Sequence, residues 1–253
     1  MSKEIVDKKD PITFFLLSLI TKIVLALFFR RIQVKGLENI PRTGPFICVA
    51  NHSSRFDGPT LGRIINRPAN FMVSPNELKG LQGALLRKVG SFPSNPRLDF
   101  VSFVLFRFRK GEPFVLFPEG NVFYDGYTHK FKKGVAKVAF AALLQGMNVP
   151  IVPVAIGYNF QGQWQARLNV GEPISARDYL ALHEKDKELA TNNLLTSLHR
   201  EVLSLRAELG YKADEKQLLE SGVEFRLPVG NELLDEVARA SDRELVGELE
   251  LAG

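Results

Sequence analysis

Cysteine is almost missing from this 253-residue chain, and the lone Cys48 excludes an intramolecular disulfide and a cysteine-rich zinc cluster. That poverty fits a reducing, cytosolic setting. Only four histidines occur, none in a ligand spacing, so no metal and no other cofactor is expected. There is no Gly-x-Ser-x-Gly elbow to carry a serine nucleophile. Helix-turn-helix, zinc-finger and RNA-binding signatures are missing too, so nucleic acid is not an expected partner. Internal repeats and low-complexity tracts are also lacking, and long apolar runs are limited to one.

What remains has a globular composition, 45% hydrophobic and 24% charged, at a length suited to one catalytic domain with appendages. The charge is unevenly spread. Residues 1–171 hold 23 Lys and Arg against 10 Asp and Glu, whereas residues 172–253 hold 10 against 18. A basic front portion suits an anionic membrane, a phosphate-bearing substrate or an acidic carrier protein.

The single apolar run is Ile12–Phe29. As a helix it spans roughly 27 Å, slightly short of a hydrocarbon core. Lys22 lies near its middle, where insertion costs about 2.5–3.5 kcal/mol. Ser18, Thr21 and Lys22 share one stripe, which suits a helix lying in the membrane interface, and the mode of attachment, spanning or interfacial, stays open. A buried core helix is the competing reading. Lysines and arginines flank both ends, so no orientation follows, and the run is too long for a signal peptide and has no cleavage site.

From Gln33 onward short apolar runs alternate with helical patterns. Strands are expected at Phe46–Ala50, Phe71–Val73, Phe114–Phe117 and Ile151–Ala155, with helices at Gly134–Gln145 and Asp186–Leu209. This alternation predicts an α/β fold: a single domain with a mostly parallel central sheet flanked by helices, an N-terminal membrane-associated helix and a helical C-terminal tail. The divisions fall at 1–32 for the membrane helix, 33–209 for the catalytic domain and 210–253 for an acidic tail, with a helix expected at Glu232–Leu249.

Two stretches carry chemistry. Asn51-His52-Ser53-Ser54-Arg55-Phe56-Asp57 follows the first strand, which places His52 at the carboxyl end of the sheet. Asp57, about a helical turn later, can accept the second imidazole N–H, orient the ring and stabilise the imidazolium. His52 is then a general base for an alcohol. Phe117-Pro118-Glu119-Gly120 closes another strand at the same edge, and its Pro and Gly are expected to aim Glu119 outward toward a substrate hydroxyl. His129, His183 and His199 show no partner pattern and read as surface residues. Trp164, Tyr158 and Phe160 read as packing, although contact with lipid stays open. The Lys130-Phe131-Lys132-Lys133 cluster reads either as a phosphate or membrane contact or as a solvated helix start.

These motifs resemble those of the glycerolipid acyltransferases, the lysophosphatidic acid acyltransferase group. Asn51, His52, Ser54 and Asp57 match the first block, Asn-His-x-Ser-x-x-Asp. Phe117, Pro118, Glu119 and Gly120 match the third, and Val149–Val154 is similar to the fourth. The resemblance covers roughly residues 33–175. It implies that the histidine deprotonates an acceptor hydroxyl, which attacks an acyl-CoA or acyl-carrier-protein thioester directly, with no acyl-enzyme and no metal. The implied partners are membrane lipid and the acyl donor, and the implied location is the cytoplasmic face of a membrane.

Three departures bear on the acceptor. The third block continues Asn121-Val122-Phe123 where the family has Thr-Arg-Ser, a lysine common after the first block is missing, and the second block is only loosely matched at Gly90–Pro93. Arg97, Lys130, Lys132 and Lys133 are the candidate replacements for the missing phosphate-binding cations. Otherwise the acceptor is a different, phosphate-free lyso-lipid. A hydrolase, or a non-catalytic lipid-binding protein on the same fold, are the remaining alternatives.

Overall fold

The alternation of strands and helices is realised as one seven-stranded sheet covered on both faces. A computed structural model describes residues 4–211, and the helix expected at Glu232–Leu249 lies outside the described residues. In chain order the elements are α1 (Pro11–Phe28), β1 (Arg31–Lys35), β2 (Ile47–Ala50), α2 (Asp57–Ile65), β3 (Asn70–Val73), α3 (Gly80–Lys88), β4 (Ser91–Pro93), α4 (Phe100–Arg109) and β5 (Phe114–Leu116). They continue with α5 (Gly134–Leu144), β6 (Ile151–Asn159), β7 (Gln165–Val170), α6 (Leu180–Lys185) and α7 (Lys187–Glu208). The strand order is β1-β7-β6-β2-β5-β3-β4. Strands β6, β2, β5, β3 and β4 run parallel, while β7 is antiparallel to β6 and pairs in parallel with β1.

Central strand β2 is buried at every position because helices cover both faces, which is why it reads as a continuous apolar run. Ile47 and Val49 pack with Val104, Val135 and Leu198 of α4, α5 and α7. Cys48 and Ala50 turn the other way, onto Leu61 and Ile65 of α2. Helix α5 stops before Gly146, whose φ of +79° terminates it without the strain a side chain would suffer. Asp186 caps α7, accepting from the Glu188 and Leu189 N–H groups at 2.9 Å each. Three strands escaped the sequence reading. β4 has only three residues, β1 is a half-exposed edge with polar alternation, and β7 mixes Gln, Arg and Asn among its apolar positions.

The apolar run becomes α1, capped by Asp10, which accepts from Thr13 N–H at 2.6 Å. Only Leu25 of the helix is buried, so the reading of a core helix does not hold. It is a surface helix, long and apolar enough to cross a membrane. Ile12, Phe15, Leu16, Leu19, Ile20 and Leu27 are exposed on it.

Its two ends are nonetheless tied to the domain. Before α1, Asp7 pairs with Arg107 at 2.6 Å, and Lys9 pairs with Glu112 and reaches Asn70. After it, Phe29 is 2% exposed and contacts the rings of Phe56, Tyr158, Phe160 and Trp164. Trp164, Tyr158 and Phe160 therefore pack. Deleting residues 1–29 removes Leu25 and Phe29 from this cluster, and at about 1.5–3 kcal/mol per side chain the domain is expected to lose about 3–6 kcal/mol of stability. Urea unfolding of the truncated protein against the full chain measures this, and an unchanged midpoint would contradict it.

Candidate active site

Strand β2 ends at Ala50, and the next residue fastens the loop. The Asn51 amide donates to Ile156 O at 3.0 Å, and its oxygen accepts from Ile156 N–H at 2.7 Å. That reciprocal pair ties the loop to β6, so His52 leaves the sheet from a rigid point. Its Nδ1 lies 2.8 Å from Asp57 Oδ2. The same oxygen accepts from the Ser53 and Ser54 N–H groups at 2.8 and 2.9 Å. Asp57 opens α2 and is fully buried, where the helix N-terminus favours its negative charge.

Two further contacts hold His52, one on its ring and one on its main chain. Phe117 stacks on the imidazole with ring centroids 4.0 Å apart, and His52 O accepts from Phe123 N–H at 2.9 Å. With Nδ1 committed to Asp57, Nε2 is the nitrogen left to take a proton from a substrate. The side chain is 20% exposed, which gives a substrate access to it.

Glu119 differs from expectation. It closes β5, the neighbour of β2, as anticipated, but it is 3% exposed and turns inward. Its Oε1 accepts from His52 N–H at 2.8 Å and its Oε2 from His129 N–H at 2.9 Å. The reason is local: Gly120 N–H bonds back to Phe117 O at 3.0 Å, with Gly120 at φ +79°. That tight turn swings the carboxylate under the adjacent loop, where unpaired main-chain donors await it. Burial raises its pKa, while the His129 and His52 N–H groups oppose the rise. Glu119 thus braces the His52 loop and does not point at solvent.

The remaining sequence candidates separate clearly. Pro118 is buried, and its carbonyl accepts from Lys132 N–H at 2.9 Å. The Lys132 ammonium lies over Gly120, where an added Cβ would collide with it. Lys132 therefore stands beside the motif turn. Lys133 instead pairs with Glu188 at 2.9 Å, and Lys130 is exposed. Arg97 is exposed beyond the edge strand β4. Strands β5 and β3 separate β4 from β2, roughly 14 Å by strand spacing, and Arg97 lies in the loop that leaves β4 at the same edge of the sheet.

Several participants were not legible in the sequence. Arg206 in the last turn of α7 is 4% exposed, donating to Thr128 Oγ1 at 2.5 Å and Gly126 O at 2.8 Å. Burial lowers its pKa, and the charges of Glu119, Asp125 and Asp57 work against that. It is a buried cation behind a cluster of acids. The histidines read as surface residues are not free. His129 pairs with Asp125 at 2.8 Å and stacks on Phe123, His183 is buried against Phe140, and half-buried His199 faces Thr128 O. Tyr158 lies close enough that burial, then the Asp57 charge, push its hydroxyl pKa up, so it stays a neutral phenol. Cys48 is inert, its thiol raised by burial to about 12.

The arrangement is an oriented imidazole at the carboxyl edge of a parallel sheet. A search of curated proteins returned no match. Among solved structures, the chain is similar to the 1-acyl-sn-glycerophosphate (LPA) acyltransferase PlsC from Thermotoga maritima. The TM-score is 0.58 at 22% identity, over 77% of this chain and 80% of that one, a likeness of fold. The model of the Acyltransferase family matches residues 31–157. With half of its length and both motif loops inside that match, this chain belongs to the acyltransferase family, as the resemblance of its motifs to the glycerolipid acyltransferases implied.

Proposed function

We propose that the protein transfers a fatty acyl group from acyl-CoA or acyl-carrier-protein to the free hydroxyl of a lyso-glycerolipid, with lysophosphatidate giving phosphatidate as the leading pair. The observation that carries the reading is the 2.8 Å contact of His52 Nδ1 with buried Asp57. In the proposed step, His52 Nε2 takes the acceptor's hydroxyl proton as its oxygen attacks the thioester carbonyl. The tetrahedral adduct collapses by breaking the C–S bond, and the imidazolium returns the proton to the departing thiolate. Asp57 stabilises the imidazolium while it exists. No side chain is acylated, in keeping with the inert Cys48. Helix α1, with its exposed apolar side chains, supports placing the domain at a membrane interface where such acceptors reside.

The test is acyl transfer by the purified full chain from labelled thioesters to a panel of lyso-lipids, with products resolved by mass. Incorporation into lysophosphatidate is the expected result, and release of free acid alone would make the protein a hydrolase. Lys132, whose ammonium lies over Gly120 of the motif turn, is the cation proposed to meet the acceptor's phosphate, since Val122 supplies none. A charge-assisted contact contributes about 1.5–3 kcal/mol. Lys132→Ala is therefore expected to raise the KM for lysophosphatidate by roughly 10- to 150-fold, and Arg97→Ala tests the second candidate cation in the same assay. If Lys132→Ala acts equally on a phosphate-free lyso-lipid, that class of acceptor takes precedence.

A further inference from the structure

One hollow of the structure stands apart from His52. It lies between α1, the end of α2 and the edge strand β1, with a volume of about 660 Å³, within the range of sites for small amphiphiles. Its walls are apolar, including Ile23, Ala26, Ile32 and Val34, and two cations, Lys22 and Arg63, line it as well. A second hollow of about 490 Å³ shares Ala26 and continues along α1 to Trp164 and Arg30.

Lys22 is out of place in an otherwise apolar helix unless its charge has a use. Asn66, in a left-handed conformation at φ 50°, accepts from Lys22 Nζ at 2.9 Å. That bond to a neutral amide steers the ammonium toward α2, whose last turn carries Arg63. Among the described residues neither cation makes an ion pair, so a positive pair faces an apolar trough without a counter-charge. We propose that this groove binds a membrane phospholipid with an anionic headgroup, its phosphate between Lys22 and Arg63 and one acyl chain lying along α1. The inference rests on the reading that α1 lies in the interface. There its exposed apolar side chains meet the acyl region, and Lys22 extends to headgroup depth. None of His52, Asp57, Phe117 and Glu119 lines either hollow, so this lipid is distinct from the acyl acceptor.

The chain contains a single tryptophan, Trp164, and it borders the second hollow, so its fluorescence reports on the groove. The experiment titrates the full chain with monomeric dihexanoyl phosphatidylglycerol and dihexanoyl phosphatidylcholine, below their micelle thresholds. Neither needs a membrane or a turnover, so a failure of the proposed catalytic or membrane reading is distinguishable from a failure here. Vesicle pelleting and acyl transfer are measured separately.

Saturable binding of the anionic lipid is expected, with the zwitterionic lipid about tenfold weaker or more. The double variant Lys22→Gln, Arg63→Gln should lose that preference while keeping wild-type acyl transfer to a soluble acceptor. A control variant, Lys137→Gln with Lys185→Gln, removes two exposed cations from α5 and α6 and should bind as wild type does. The proposal is overturned by unsaturable binding, by equal affinity for the two lipids, or by an equal loss in the control variant. The last result would mean that diffuse charge, not the groove, attracts the lipid.

Discussion

Replacing His52 with alanine is expected to cut acyl transfer about 10²- to 10⁴-fold, the usual contribution of a positioned general base, without unfolding the protein. The loop does not depend on the imidazole. Asn51 fastens it to Ile156, and Glu119 holds the His52 main-chain N–H, neither of which needs the ring. Asp57→Asn provides the sharper comparison. Asp57 Oδ2 accepts from three donors, His52 Nδ1 and the Ser53 and Ser54 N–H groups. An asparagine oxygen can keep the two main-chain bonds, and the loop should stay in place. It cannot stabilise an imidazolium, and its amide can turn the imidazole to the wrong tautomer. kcat should therefore fall by a comparable factor with the acceptor KM nearly unchanged. Initial rates with a labelled thioester, together with circular dichroism, decide the matter. A folded variant of either kind turning over within a few-fold of wild type would remove His52 from the role of base.

Glu119→Ala is expected to damage both stability and activity, because the carboxylate is internal structure of the site. Its loss strands the His52 and His129 N–H groups in a buried place. At about 1–3 kcal/mol for each unsatisfied donor, the domain should lose about 2–6 kcal/mol. The rate should fall as well, since His52 is anchored through that bond. Glu119→Gln should be intermediate: one oxygen still accepts, but the amide NH₂ faces a second N–H donor. Denaturant unfolding and kcat are measured side by side. If Glu119 instead held an acceptor hydroxyl, Glu119→Gln would raise the acceptor KM at nearly wild-type stability.

The comparison of Glu119 with His52 shows where sequence reasoning reaches its limit. Both were placed correctly at the carboxyl edge of the sheet, because each directly follows a short buried strand whose ends are marked by turn residues. The His52–Asp57 contact was legible too, since both partners sit in one seven-residue stretch and the start of α2 sets their separation. The direction of the Glu119 side chain was not. It depends on unpaired N–H groups of His52 and His129, the first of them 67 residues away, brought alongside only when β5 inserts next to β2.

The sequence by itself therefore determined the layered α/β architecture, the long apolar helix and the pairing of His52 with Asp57, all of which follow from local periodicity and short-range spacing. Tertiary structure alone decided the rest. Arg206 reaches Thr128 across 78 residues, His129 meets Glu119, and Lys22 and Arg63 come to share one groove. Taken without its neighbours, each of these side chains resembles any other solvated polar group. Their roles arise from what the folded sheet and its covering helices bring near them, because burial and charge pairing are properties of the assembled neighbourhood rather than of the residue.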